Sequence, residues 1–408
     1  MPGRIIRAKL IPKGSDYFCY DKLISAKLEK FDNHKITGMM FLVHKLTMRF
    51  VMAACILPAL FSCNGSVREG EDYYTVADFD RVPKIDAHFH YNSTDTRYLE
   101  YADSIKMWFV SPNVDASRSI REQFEMARTI KESYPDRFFF LGTFPVDNFG
   151  DPGFAGDIIK HIDKAMASGA SGIKVWKNIG MELKNPDGEY VMIDNPAFDP
   201  VFEYLQENRI PLLGHLGEPL NCWLPVEEMT LGNDKRYFAN NPQYHMYLHP
   251  EAPSYRDQIN ARDNVLKRHS QLVFSGAHLA SLEWSVDELA DHFDSFTGVS
   301  VDISARIGHL QHQSLSDYHK VRDFLIKYQD RIMYGTDMSV SERSTDYRST
   351  TAGLHRRWLD DWVYLATDST IIVDDLDQQE VKGLNLPASV IDRIYYRNAE
   401  QLFITDFN

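Results

Sequence analysis

Cysteine is scarce: four residues in 408, at Cys19, Cys55, Cys63 and Cys222. That excludes a small scaffold held by disulfides. Glycine and proline, at 22 and 18 residues, fall far short of a collagen-like chain. The uncharged apolar run at residues 50–61 is too short to cross a bilayer, which takes roughly 20 residues. Basic charge is in deficit over most of the chain. Residues 1–63 hold ten basic and four acidic groups, net +6, whereas residues 64–408 hold 34 and 54, net −20. A body that acidic repels phosphate backbones, so nucleic acid is not an expected partner. What is present is core material. With 44% hydrophobic and 12% aromatic residues the chain is a globular protein of one or two domains, not a disordered one.

The basic front end has the order of a processing segment. Lys45 and Arg49 precede the apolar run, and Ser62-Cys63-Asn64-Gly65 follows it, as in a secretory signal. Leu60-Phe61-Ser62-Cys63 resembles the lipobox of bacterial lipoproteins, whose cysteine becomes diacylated. The expectation is an upstream extension at 1–47, a signal at 48–62 beginning at Met48, a polar tether at 63–83, and an exported envelope lipoprotein that meets the membrane only through the lipid on Cys63. Cys222 would then be the sole remaining cysteine. The alternative reading of residues 50–61 is a buried core helix.

From residue 84 onward, strand-like runs at 84–88, 107–111, 138–144, 172–176, 210–214, 271–275, 299–303 and 331–334 alternate with helical stretches at 120–133, 157–167, 198–207, 255–267, 286–293 and 315–328. Eight βα units fit one (β/α)8 TIM barrel, an α/β fold, better than two doubly wound domains. Longer segments follow the fourth strand (177–196), the fifth (218–253) and the eighth (339–387), where such barrels place active-site loops. The acidic stretch 374–380 is expected to be exposed, and 388–403 to be a closing helix.

His88 and His90 stand two apart at the end of the first strand, so the two-residue period turns both imidazoles to one face. Taken alone, the pair reads equally well as two polar loop residues. The fifth strand, however, ends in His215, the sixth in His278 and the eighth in Asp337. Singly, each histidine suits a hydrogen-bonded structural role and Asp337 a helix cap. Four strands of one barrel each ending in a ligand-type side chain point to a divalent metal.

Ile85-Asp86-Ala87-His88-Phe89-His90, followed in order by His215, His278 and Tyr334-Gly335-Thr336-Asp337, resembles the amidohydrolase superfamily, in particular its amidohydrolase-related branch, which includes decarboxylases and lactonases. The closing Arg397-Asn398-Ala399 and Leu402-Phe403 are similar to the end of that domain, and the resemblance spans about residues 84–408. It implies that His88, His90, His215 and Asp337 hold a metal, most often zinc, and that His278 binds a second metal or stays free as an acid/base. Lys174 occupies the fourth-strand place where binuclear relatives carry a carboxylated lysine. One metal is expected, and two only if Lys174 is carboxylated.

Neutral imidazoles with a carboxylate suit zinc, and an open coordination position lowers the pKa of bound water from about 15.7 toward about 7. Asp337 would take the proton of that water, and the metal or a protonated His278 would stabilise the oxyanion. Asp86 is either an orienting group behind a ligand or a buried structural carboxylate. Lys177 and Arg306 are candidates to hold a substrate carboxylate or phosphate, and Glu218 a hydroxyl or amine. Trp176, Trp223, Tyr244, Trp284 and His309 are candidate walls. The expected activity is hydrolysis of an amide, lactone or ester of a small molecule, with non-oxidative decarboxylation as the alternative and a non-catalytic solute-binding lipoprotein as the third reading.

Overall fold

The structure is a computed structural model that describes residues 72–116 and 118–405. The upstream extension, the signal, Cys63 and the first part of the tether lie outside these residues. Of the tether, residues 72–83 are packed rather than free: the Asp72 carbonyl accepts from the Ala388 amide at 2.8 Å, Tyr74 donates to Asp392 at 2.8 Å, and Phe79 and Val82 are buried. No helix among the described residues is long and apolar enough to cross a membrane.

Eight short parallel strands build the centre: β1 (Lys84–Asp86), β2 (Met107–Pro112), β3 (Phe138–Leu141), β4 (Ile173–Val175), β5 (Leu212–Gly214), β6 (Phe274–Gly276), β7 (Ser300–Asp302) and β8 (Ile332–Met333). They pair as β1-β2-β3 and as β4-β5-β6-β7-β8. A parallel bridge between Gly142 and Ile173 joins β3 to β4, and the Ala87 amide donates to the Tyr334 carbonyl at 3.0 Å, joining β1 to β8. The sheet therefore closes on itself as a TIM barrel, which leaves no exposed strand edge.

Strand formation follows composition. Phe138-Phe139-Phe140-Leu141 and Leu212-Leu213 are buried on both faces, as parallel strands covered by helices must be. Ile85, Val110, Leu141, Leu213 and Met333, from five strands, pack with Ala399 and Phe403 of the C-terminal helical segment in one cluster. The covering helices are amphipathic; Ile120–Ser133 buries Gln123, Phe124, Ala127 and Ile130, spaced three and four apart.

Two expectations are corrected and one is met. Residues 339–387 are not a loop insertion throughout: Tyr347–Ala366 is a twenty-residue helix with Trp358 and Trp362 fully buried, so the eighth unit has its own helix. The acidic stretch is exposed as expected except for Leu376, which is buried, and the half-buried Asp375; it forms the turn of an antiparallel hairpin, Thr370–Val373 with Gln379–Lys382. The helix expected at 315–328 begins only at Tyr318 and runs to Lys327; a separate helix, Ile307–Ser316, precedes it, and Asp317 divides the two, its carboxylate capping the second by accepting from the Lys320 amide.

Candidate metal centre

Beyond β1 the chain runs on to the short strand His90–Asn92, which pairs in parallel with Ser339–Ser341 beyond β8. The Asp337 amide donates to the His88 carbonyl at 2.8 Å and the His90 amide to the Met338 carbonyl at 2.9 Å. This lacing of the first and last strand ends sets His88 and His90 opposite Asp337. Gly335 makes it possible: a Cβ there would lie 3.1 Å from the His88 Cβ and overlap the Ser304 hydroxyl. Asp337 itself has φ 60°, a left-handed conformation that costs a non-glycine residue about 1 kcal/mol or more.

Three imidazoles are anchored in the same way. Nδ1 of His88 donates to Asp302 Oδ2 at 3.0 Å, Nδ1 of His90 to the Pro112 carbonyl at 3.1 Å, and Nδ1 of His278 to the Ser304 carbonyl at 2.9 Å. An outer nitrogen fixed on an acceptor sets the tautomer and leaves Nε2 bare, the arrangement metal-ligating histidines adopt. Nε2 of His90 and of His88 lie 3.2 and 3.6 Å from Asp337 Oδ1. His88, His90 and Asp337 thus offer ligand atoms within 4.8 Å of one another, and so do His88, His278 and Asp302. The first set fits a divalent ion that accepts nitrogen and oxygen; in the second, Asp302 already accepts from His88 Nδ1.

His215 joins the ring array, edge-on to His278 with centroids 4.4 Å apart, but belongs to neither donor set. Its Nε2 faces Glu218 Oε2 at 3.4 Å, and burial pushes its pKa down to about 4. Lys174 reaches the same point from β4, its Nζ 3.0 Å from His88 Nε2, and burial brings its pKa down to about 8. His278 is buried and held neutral, with His215 reinforcing the effect. As it stands the ring accepts at Nε2, so a protonated His278 donating to an oxyanion is not what this geometry offers. Asp337 is the accessible member, its side chain 34% exposed against 1% for His88. Burial tends to raise its pKa, but His278, His90 and His88 outweigh this and keep the carboxyl ionised.

Asp302, at the end of β7, was not among the sequence candidates. Besides His88 it accepts from the amides of His278 at 2.9 Å and Ser304 at 3.1 Å. Its signal was present, since Ser300-Val301-Asp302 ends an apolar run in a ligand-type residue as β8 does. Asp86 proves to be a brace: it accepts from Thr336 Oγ1 at 2.6 Å, the Thr336 amide at 3.0 Å, Trp358 Nε1 at 3.1 Å and the His88 amide at 3.3 Å. It meets no imidazole, and burial pushes its pKa up to about 6.

Lys177, Glu218 and Arg306 converge beside the histidines. Lys177 pairs closely with Glu218 and lies 4.5 Å from the Tyr244 ring centroid. Arg306 Nη2 is 4.0 Å from Glu218 Oε2. Burial raises the Glu218 pKa, and Lys177 and His215 more than reverse it, leaving the carboxylate well below its usual range. Of the candidate walls, Trp176 lies 5.8 Å from Lys177 Nζ. Trp284 donates to the Tyr255 hydroxyl and Trp223 packs on the same ring. His309 pairs with Asp234 at 3.1 Å. Two recesses of about 630 and 430 Å³, one lined by residues such as Lys184 and Asn260 and the other by Asn113 and His161, include no residue of either donor set.

A family model described as amidohydrolase matches residues 85–404. No curated protein matches the chain. Among solved structures, an amidohydrolase II is similar at 15% identity and TM-score 0.43, covering 78% of this chain and 99% of that one. The 4-oxalomesaconate hydratase of Rhodopseudomonas palustris is similar at 13% and 0.41, covering 78% and 95%. The 5-methylcytosine deaminase of Klebsiella pneumoniae follows at 11% and 0.35, covering 75% and 78%. These likenesses are low, and the family assignment rests on the sequence match.

Proposed function

We propose, on the premise that the chain belongs to the amidohydrolase family, that it hydrolyses an amide, lactone or ester of a small molecule at the strand-end centre. Family membership makes it an enzyme of metal-dependent hydrolase or lyase-type chemistry; the particular reaction is our reading. The observation that carries it is the approach of His88 Nε2 and His90 Nε2 to Asp337 Oδ1 while both outer nitrogens are held by acceptors.

His88, His90 and Asp337 would hold the ion, for which zinc suits the donors, with His215, beside His278, as a further ligand. When bound, such an ion supplies Lewis acidity and makes a water nucleophilic near neutral pH. The chain's own residues do the rest. Asp337, ionised and accessible, accepts the proton of the attacking water at Oδ1 or Oδ2. His278 presents a bare Nε2 toward the same space and accepts or ligates there. Asp302 holds His88 in the tautomer that keeps Nε2 free. Lys174 donates toward His88 Nε2 as it stands and, if carboxylated, would be placed to help hold a second ion.

Metal analysis of the purified chain together with a screen of lactones, esters, N-acyl amino acids and aromatic acids tests the reading. One or two equivalents of metal and turnover abolished by His88→Ala and Asp337→Asn are expected. Full turnover in either variant overturns it. The decarboxylase reading is favoured by one observation, the buried cation Arg306 beside Glu218, and CO₂ released from an aromatic acid would select it. Export by a lipid on Cys63 is proposed too. Mass spectrometry of the native protein should find diacylated Cys63 as the first residue, and peptides from residues 5–35 would refute it.

A further inference from the structure

Arg306 follows β7 and opens the helix Ile307–Ser316. Ala305, in a left-handed conformation at φ 55°, turns the chain at this point. The Arg306 side chain is only 8% exposed, and a buried guanidinium calls for partners at its five N–H donors. Among the described residues it has almost none. Nη1 donates to the carbonyl of its own neighbour Ala305 at 3.1 Å. Nη2 is 4.0 Å from Glu218 Oε2, beyond hydrogen-bond reach. Nε, closed to solvent, has no partner.

The surrounding carboxylates keep its charge, but none accepts a hydrogen bond from it. Glu218 is taken by Lys177, Asp234 by His309 and Asn221, and Glu283 accepts the Leu220 amide through Oε1 while its buried Oε2 has no hydrogen-bond partner. Lys177, the other candidate cation, is already satisfied by Glu218. One guanidinium therefore remains underused within the electrostatic reach of Asp337 and His278.

We propose that the substrate carries a carboxylate and that Arg306 receives it, placing the bond to be broken at the metal-type cluster; this rests on the reading of that cluster given above. A planar fork of donors matches a carboxylate in two parallel bonds. A phosphate dianion is disfavoured because Glu218, Glu283 and Asp337 surround the same cation. Arg306 thereby sets specificity, while Lys177 and Glu218 form the adjoining wall.

The test is calorimetric titration of the full metal-loaded chain with benzoate, its neutral counterpart benzamide and inorganic phosphate. Benzoate is expected to bind more tightly than either of the others. Arg306→Met should weaken benzoate at least tenfold and leave benzamide unchanged, with Arg306→Lys intermediate. Thermal stabilisation of the unaltered chain by benzoate over benzamide gives the same reading should Arg306→Met fail to fold. Equal binding of benzoate and benzamide, benzoate affinity unchanged in either Arg306 variant, or preference for phosphate overturns the proposal. Chelator-stripped protein should keep Arg306-dependent benzoate binding; benzoate binding that vanishes with the metal overturns it. A chain that binds benzoate through Arg306 but hydrolyses nothing loses the hydrolase reading alone.

Discussion

A carboxylate that accepts from His88 Nδ1 at 3.0 Å and from the His278 amide at 2.9 Å ties two imidazoles to one strand end. Asp302→Asn keeps the shape but places an amide where the His88 proton must be accepted. Metal affinity is expected to fall about 10–100-fold, measured by competition with a chromogenic chelator, with helical circular dichroism unchanged. Asp86 works through backbone instead. Asp86→Ala leaves the Thr336 amide and Trp358 Nε1 buried without an acceptor, at about 1–3 kcal/mol each. Denaturant unfolding should show roughly 3–5 kcal/mol lost, and metal binding should weaken because Thr336 adjoins Asp337. Neither role was visible in residue types alone, since an aspartate inside a strand reads equally as ligand, brace or cap until its partners are known.

The elements end in strained turns where the chemistry sits. His278, Leu279, Ala280 and Ser281 are four successive left-handed residues after β6, with no glycine or asparagine among them to announce it. Gly276 allows the turn to fold back, because a Cβ there would lie 2.5 Å from the Ala280 Cβ. Gly276→Ala should cost about 1–3 kcal/mol by overpacking and lower metal occupancy, read by calorimetric melting and metal analysis. A different element adds an acid sensitivity of its own. In the helix Val286–Ser295, burial, with the charges of Arg262 and Arg331, pushes His292 down to about 2, and Asp263, 3.5 Å from Nδ1, does not reverse this. The unfolded histidine, near about 6.5, takes up a proton the native one refuses, so this stability is present above pH about 6.5 and lost as pH falls below it. Between pH 6.5 and 4.5 the loss is expected to be about 2 kcal/mol, and His292→Gln should remove that much of the fall in unfolding free energy. The strands and most helices were legible because apolar runs and three-to-four spacing encode them directly. Tyr347–Ala366 was not, because it buries Trp358, Asp361, Trp362 and Tyr364 around its girth and so lacks one apolar face.

At the scale of the molecule, the described residues contain the closed barrel and every site residue. A chain lacking residues 1–69 is therefore expected to keep its melting temperature within about 2 °C, the shift that roughly 1–1.5 kcal/mol brings in a domain of this size. Its metal content should be unchanged; loss of folding or of metal on deletion refutes this independence. Residues 64–408 carry a net −20, yet the centre gathers Lys174, Lys177 and Arg306 within that acidic body.

The eight-fold alternation, the ligand types at the strand ends and the family were determined by the sequence itself, because burial patterns and residue chemistry are local properties. Tertiary structure decided which carboxylate holds which histidine, that Glu218 occupies Lys177 and leaves Arg306 underused, and that Asp337 is the accessible acid. Those are matters of ångström distances between strands far apart in the chain, and they come into being only when the barrel closes β1 against β8.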